Sequence, residues 1–203
     1  MTTTVEVFID FVCPFCLLIE PTLDELQRTR DVNLELHPFE LRPAPVPTLR
    51  PEDDYLPRVW REVVLPMASR VGIPVSLPTI SPQPRSEQAF LILQLAREQG
   101  RATAWTDMVF KAFFQEDKDI GSPQVLADIA VSVGLNHDEV MAALGSQTRR
   151  QQHRANLRYA RDEVGITAVP GIVVAGHLLQ GVPDIARLQE AVDAAVARPE
   201  VNR

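Results

Sequence analysis

Sulfur is scarce in this chain: its 203 residues include two cysteines, Cys13 and Cys16, and four methionines. One disulfide at most can form, so a small scaffold stapled by several bridges is excluded. That one bridge would close over two intervening residues, and so short a loop constrains little of the unfolded chain, which argues against a structural staple. An excess of basic charge is also missing. Twenty Lys and Arg against 27 Asp and Glu leave a net charge of −7, which argues against nucleic acid or an anionic membrane as the main partner. No apolar run is long enough to span a bilayer. The opening Met1-Thr2-Thr3-Thr4 lacks the basic n-region of a secretory signal, so the expected compartment is the cytoplasm. There, a pair of cysteines two residues apart is more often catalytic or metal-binding than structural. The four histidines, His37, His137, His153 and His177, are scattered without ligand spacing, so no metal site is expected. Internal repeats and low-complexity tracts are absent as well.

What is present reads as a globular protein able to bury a core, with 45% apolar and 23% charged residues. Val5, Val7 and Ile9 alternate with Glu6, Phe8 and Asp10, the period of a strand. Pro14 suits the first turn of a helix that Leu17, Leu18, Leu23 and Leu26 carry to about Arg28, with a bend expected at Pro21. Val32 to Phe39 reads as a second strand. Strand, helix and strand within forty residues form a βαβ unit with parallel strands. Two proline-rich stretches follow, one with Pro43, Pro45, Pro47 and Pro51 and one with Pro74, Pro78, Pro82 and Pro84. These read as stiff connectors. Helices are expected over Ser86–Glu98, Ala102–Phe114, Gln124–Val133, Asp138–Leu144 and from Ser146 to Gly165, with Ser122 and Asn136 as caps. Strand character returns at Ile172-Val173-Val174-Ala175, a Gly176-His177 turn leads to Leu178-Leu179-Gln180, and a last helix spans about Asp184 to Ala197. The fold class expected is α/β: a discontinuous domain of residues 1–42 and 165–203, split by a mostly helical insertion at 43–164.

The chemistry centres on Val12-Cys13-Pro14-Phe15-Cys16. The nucleophile in disulfide exchange is the thiolate, and the start of a helix favours an anion. Cys13, where strand passes into helix, is expected to be the exposed, attacking thiol. Cys16, one turn later, is expected to face inward as the resolving thiol. Phe15, between them, is expected to face substrate as an apolar contact, and Pro14 to influence thiolate stability beside it. Before the returning strand stands Thr167-Ala168-Val169-Pro170-Gly171. A cis bond at Pro170 would set the Val169 backbone beside the sulfurs, open to an extended chain recognised by strand addition.

Together, Asp10-Phe11-Val12-Cys13-Pro14-Phe15-Cys16, the helical insertion and Gly165-Ile166-Thr167-Ala168-Val169-Pro170 resemble the DsbA-like thioredoxin-fold family, in particular its cytoplasmic FrnE-type subgroup. His37-Pro38-Phe39-Glu40-Leu41, Ala112-Phe113-Phe114, Asp119-Ile120-Gly121 and Gln180-Gly181-Val182 extend the likeness along nearly the whole chain. The resemblance implies a thioredoxin core with a cis bond at Pro170. It also implies thiol-disulfide oxidoreductase or isomerase activity, with Cys13 as nucleophile, Cys16 as resolving thiol and Pro170 at the catalytic centre. Substrate would lie on Pro14, Phe15 and Val169. No cofactor is implied beyond the redox pair itself. The implied partners are protein or peptide thiols and disulfides, with glutathione a candidate reductant, in a monomer or homodimer. The chain departs from thioredoxin and DsbA six residues before Cys13, where Val7 replaces a buried acid. Asp10 or Glu40 is the candidate for proton transfer in its place. Extra C-terminal cysteines found in some FrnE-type proteins are missing.

Relatives with the same inserted architecture, kappa-class glutathione transferases and 2-hydroxychromene-2-carboxylate isomerases, use a serine where Cys13 stands. Glutathione-dependent transfer or isomerisation of a small molecule is therefore the alternative activity, and a redox sensor or binding protein without turnover is a third. A basic stripe of Arg149, Arg150, His153, Arg154, Arg158 and Arg161 reads as a solvated face paired with acids, or as a site for an anion. Trp60, Trp105, Phe110, Phe113, Phe114 and Tyr159 are candidates to line a substrate groove between the insertion and the core, although most read more simply as core of the helical block.

Overall fold

The computed structural model describes residues 2–197; Met1 and 198–203 of the expected discontinuous domain lie outside the described residues. Its sheet grows from the three stretches with strand periodicity. β1 (Thr3–Ile9) pairs in parallel with β2 (Val32–Pro38), with Val7 opposite Leu36. β3 (Gly171–Val174) runs antiparallel to β1 on its other side, and β4 (His177–Gln180) closes the order β2-β1-β3-β4. β1 is thus central, and Val5, Val7 and Phe8 are fully buried. β3 and β4 are joined by a two-residue turn at Ala175-Gly176, both with positive φ as such hairpins require. The turn sits one residue earlier than the sequence suggests, because alanine accepts the left-handed region here.

Between β1 and β2 lie α1 (Pro14–Leu18) and α2 (Glu20–Thr29), two short helices broken at Ile19 where Pro21 was expected to bend one. The helical part follows. Tyr55–Val71, between the proline-rich runs, is helical although its sequence gives no such signal. It consists of α3 (Tyr55–Val59), a π-helical turn (Trp60–Val64) and α4 (Leu65–Val71). The π turn bonds Leu65 N–H to Trp60 C=O, leaving Pro66 in the first turn of α4, where a missing N–H costs least. α5 (Glu87–Glu98), α6 (Ala102–Phe114), α7 (Pro123–Ser132), α8 (His137–Gly145) and α9 (Gln147–Arg158) complete the bundle. Asn136 and Ser122 cap their helices as expected. α9 runs on through a π turn to Glu163, and α10 (Ile185–Ala197) packs against α2 and the sheet.

The helical part is not an appendage. α5 is buried on most of its circumference, and Trp105 inside the bundle donates its indole N–H to Ala89 C=O at 3.1 Å. Phe11, at the end of β1, lies 4.7 Å from Phe90 and 5.4 Å from Phe110, centroid to centroid. That ring locks the turn carrying the cysteines into the bundle; truncation to alanine would cost about 3–5 kcal/mol.

Candidate active site

The cysteines stand where the polarity of β1 runs out. After Ile9 the chain turns, Asp10 C=O accepts from Cys13 N–H at 3.0 Å, and Cys13 C=O accepts from Cys16 N–H at 3.1 Å. Cys13 keeps an extended backbone as the N-cap, and Pro14 occupies the first helical position. Both thiols are free. Cys16 is buried, as expected of an inward-facing residue. Burial pushes its thiol up, and the hydrogen bond with Cys13 and the nearby Asp10 charge act in the same direction.

Cys13 corrects the sequence expectation: it is 4% exposed, not open to solvent. The reason is the segment that follows α9. Gly165, at φ +78°, ends that helix and lets Ile166 N–H reach back to Ala160 C=O at 2.8 Å. The chain then folds Val169 over the cysteine, and Cys13 Sγ donates to Val169 C=O at 3.4 Å across 156 residues of sequence. The Val169–Pro170 bond is cis. Access to Cys13 is through a cavity of about 350 Å³ between the sheet end and the helical part. Cys13, Pro14, Phe15 and Val169 line it, together with apolar Leu49, Leu56, Val59, Trp60 and Phe114. Phe15 is half-buried here, neither core nor fully exposed.

Asp10 and Glu40, both candidates for proton transfer, lie on this cavity but in different company. Asp10 is fully buried, and burial raises its carboxyl to about 6 against three hydrogen bonds that pull it down. Its Oδ1 accepts from Ser86 Oγ at 2.5 Å and, more weakly, from Val12 N–H at 3.4 Å; its Oδ2 accepts from Leu41 N–H at 2.7 Å. Glu40 is turned away to His153, Oε1 to Nε2 at 2.6 Å, and its backbone C=O accepts from Arg161. Of the two carboxyls, Asp10 is the one whose charge reaches the Cys16 thiol, while Glu40 is engaged by His153.

Ser86 was missed. Ser86 looks like a helix cap, yet its side chain caps nothing and serves Asp10 instead. The available hint is the absence of Glu or Gln at the third helical position, Ala89, so no capping box holds that serine to its helix. Arg42 and Arg85 were missed as well. They line the same cavity, bond only to backbone carbonyls of residues 42, 46 and 47, and make no ion pair among the described residues.

The basic stripe is largely spent within the fold. Arg149 holds Glu98 through two bonds at 2.8 and 2.7 Å, Arg150 donates to Leu144 C=O, and Arg161 lies 5.0 Å over the Phe39 ring. Arg154 and Arg158 stay exposed. Of the aromatic candidates, Trp105, Phe110 and Phe113 are core, whereas Trp60 and Phe114 face the cavity. No cluster among the described residues could hold a metal ion.

A mixed four-stranded sheet, an inserted helical bundle and a Cys-Pro-Phe-Cys turn meeting a Val-Pro turn define a protein of thioredoxin-like fold. Residues 4–193 match the DSBA-like thioredoxin domain, and the chain belongs to that family. It is 36% identical over 182 residues to the uncharacterized protein YwbO of Bacillus subtilis (strain 168), spanning 89% of this chain and 91% of YwbO. Among solved structures it resembles a probable DsbA oxidoreductase, SCO1869, from Streptomyces coelicolor. That match has a TM-score of 0.82 and 22% identity, over 99% of this chain and 93% of the other. The cytosolic disulfide reductase DsbM from Pseudomonas aeruginosa, solved with GSH, matches with a TM-score of 0.69 and 18% identity over 96% of each chain. At these identities the two structures establish the DsbA-like fold.

Proposed function

We propose that the protein is a cytoplasmic thiol-disulfide oxidoreductase of the FrnE type, acting on protein or peptide disulfides. The observation that carries this reading is the convergence of Cys13 and Val169 C=O at one end of one cavity, with Cys16 buried one turn behind Cys13. In the reducing direction the Cys13 thiolate attacks a substrate disulfide. A Cys13–substrate disulfide forms, and the substrate's other sulfur leaves as a thiolate. Cys16 then attacks Cys13 sulfur, the second substrate thiolate leaves, and the pair is oxidised to a disulfide. The electron pair has moved from the dithiol to the substrate.

Cys16 must lose a proton to attack, and burial makes that unfavourable. Asp10, ionised above about pH 6, is the acceptor in this scheme. Val169 N–H has no backbone partner among the described residues, which leaves it free to pair with an extended substrate. Phe15 and Trp60 supply apolar walls beside it. Glutathione as co-substrate is favoured by one further feature, the two arginines without carboxylate partners at the same cavity.

The test is trapping. Cys16→Ser should accumulate a covalent adduct with a reducible disulfide protein through Cys13, and Cys13→Ser should neither form the adduct nor turn over. Turnover that survives Cys13→Ser sinks the reading. Activity of Cys16→Ser on an electrophile with glutathione would support transferase chemistry instead.

A further inference from the structure

A second cavity, of about 580 Å³, lies away from the cysteines and shares no lining residue with the first. Three elements build it. α2 presents Glu20, Leu23, Asp24 and Gln27, the three-and-four spacing of one helix face. α6 presents Thr103, Thr106 and Asp107 from its first turns, and the sheet edge β2 supplies Leu34 and Leu36. The size falls in the range of small-molecule sites, about 300–1,000 Å³.

Three buried polar atoms of its lining residues lack a hydrogen-bond partner among the described residues: Thr106 Oγ1 and Glu20 Oε1 at one end, and at the other His37 Nε2, which lies 3.4 Å from Glu6 Oε1. Thr106 is 4% exposed, and its Oγ1 has no hydrogen-bond partner among the described residues. A helical threonine ordinarily satisfies its hydroxyl on the carbonyl three or four residues back, so leaving it for the cavity is unusual. Glu20 Oε1 is buried and equally without a partner. Asp24 and Asp107 stand exposed at the rim. None of the three carboxyls makes an ion pair among the described residues. Burial first, then the charges of Asp107 and Asp24, hold the Glu20 carboxyl up at about 8. All four groups can accept hydrogen bonds when the carboxyls are ionised, and the described residues do not assemble a metal-binding cluster here.

We propose that this cavity binds an aliphatic ammonium group, its N–H donors taken by Glu20, Thr106 and a rim carboxylate, with its methylene stem against Leu23 and Leu34. An ammonium carries three donors and no acceptor, which is the complement of this lining. The same group occurs on a free alkylamine and on a lysine side chain. At the far end, Arg97 and His37 line the cavity with Glu35, so a second positive charge on the ligand is disfavoured. The site is independent of the disulfide chemistry.

The test uses the whole protein at pH 8.5, where Glu20 is ionised, with n-butylammonium, Nα-acetyl-lysine amide and neutral n-butanol as probes, followed by amide NMR shifts on α2 and α6. Saturable shifts are expected for the two cations and not for butanol, and the tighter of the two identifies the source. Thr106→Val and Glu20→Gln should each weaken cation binding about tenfold, the scale of one charge-assisted hydrogen bond. Thr106→Val keeps the shape and removes an unpartnered hydroxyl, so it should fold at least as stably as the parent; should it fail to fold, Glu20→Gln decides alone. Absence of saturable shifts with both cations, equal binding of butanol, or undiminished binding in the folded variants overturns the proposal.

Discussion

Two cavities in this molecule each hold a carboxyl withdrawn from water, Asp10 fully and Glu20 in part, and burial raises both, but not to the same place. Asp10, beside the cysteines, accepts three hydrogen bonds and stands at about 6. Glu20, in the cavity between α2 and α6, accepts none at its buried Oε1, faces two more carboxyls, and stands at about 8. The starting cost is the same in kind, loss of water around a charge. Two things make the difference: the donors around Asp10, which has one carboxyl neighbour in Glu40, and the pair of carboxyls, Asp107 and Asp24, beside Glu20. Ser86 and the Leu41 and Val12 amides hold Asp10 where it is ionised at neutral pH yet close enough to neutrality to take and return a proton. Without donors Glu20 stays mostly protonated at the same pH.

The largest way to break this comparison is to delete the better-supported charge. Asp10→Asn keeps the shape and can still bond Leu41 and Ser86, but it cannot accept a proton. Release of substrate from the Cys13 mixed disulfide, followed in a single turnover, should slow by about 100-fold, the low end for a positioned general base. In the parent protein that rate should climb through about pH 6, because the accepting form of Asp10 exists above that value; in the variant the climb should vanish. Parental rates in Asp10→Asn would remove Asp10 from the mechanism. A subtler change moves Asp10 toward the condition of Glu20. Ser86→Ala removes the shortest of the three hydrogen bonds, and a bond to a charged group is worth about one pH unit. The midpoint of the resolution step should rise from about 6 toward about 7, and Ser86→Thr should bring it back. A midpoint that stays put in Ser86→Ala means that the serine only packs.

The contrast also explains what could be read along the chain and what could not. Cys13, Cys16 and Val169-Pro170 are legible because each sits in a short run whose residue types are unusual together, and the strand-to-helix junction is a local property. The depth of Cys13 is not, since the lid over it comes from 156 residues away. Ser86 carries a plausible local role, a helix cap, that masks its tertiary one. The helix from Tyr55 to Val71, which brings Trp60 to the cavity, is hidden by Pro57 and Pro66; only the π turn between them shows how both fit. Glu20 and Thr106 have no signature at all. Helix α2 explains the stripe that holds Glu20, but nothing in sequence brings that stripe opposite α6.

Glu20 gives the smallest effect and the most direct check on why the two carboxyls differ. Its folded value is raised above the ordinary 4.5, so the folded protein binds an extra proton between about 4.5 and 8. The sign follows from linkage: the stability associated with that proton is fully present below about pH 4.5 and is lost as pH rises through about 8. Glu20→Gln carries no such titration. It should therefore match the parent at pH 4 and exceed it above pH 8. Solvent reaches part of the side chain, and a negative charge in the first turn of α2 is favoured by the helix, so both ease the cost of ionising it. What remains is on the order of 1 kcal/mol, or about 2–4 °C in melting temperature for a chain this long. Equal melting curves at pH 8.5 would mean that Glu20 finds solvent or a donor in solution, and the contrast with Asp10 would then be one of depth rather than of hydrogen bonding. A saturating alkylammonium should raise the melting temperature of the parent at pH 8.5 more than that of Glu20→Gln, since only the parent adds a buried charge to those of Asp24 and Asp107 at the rim.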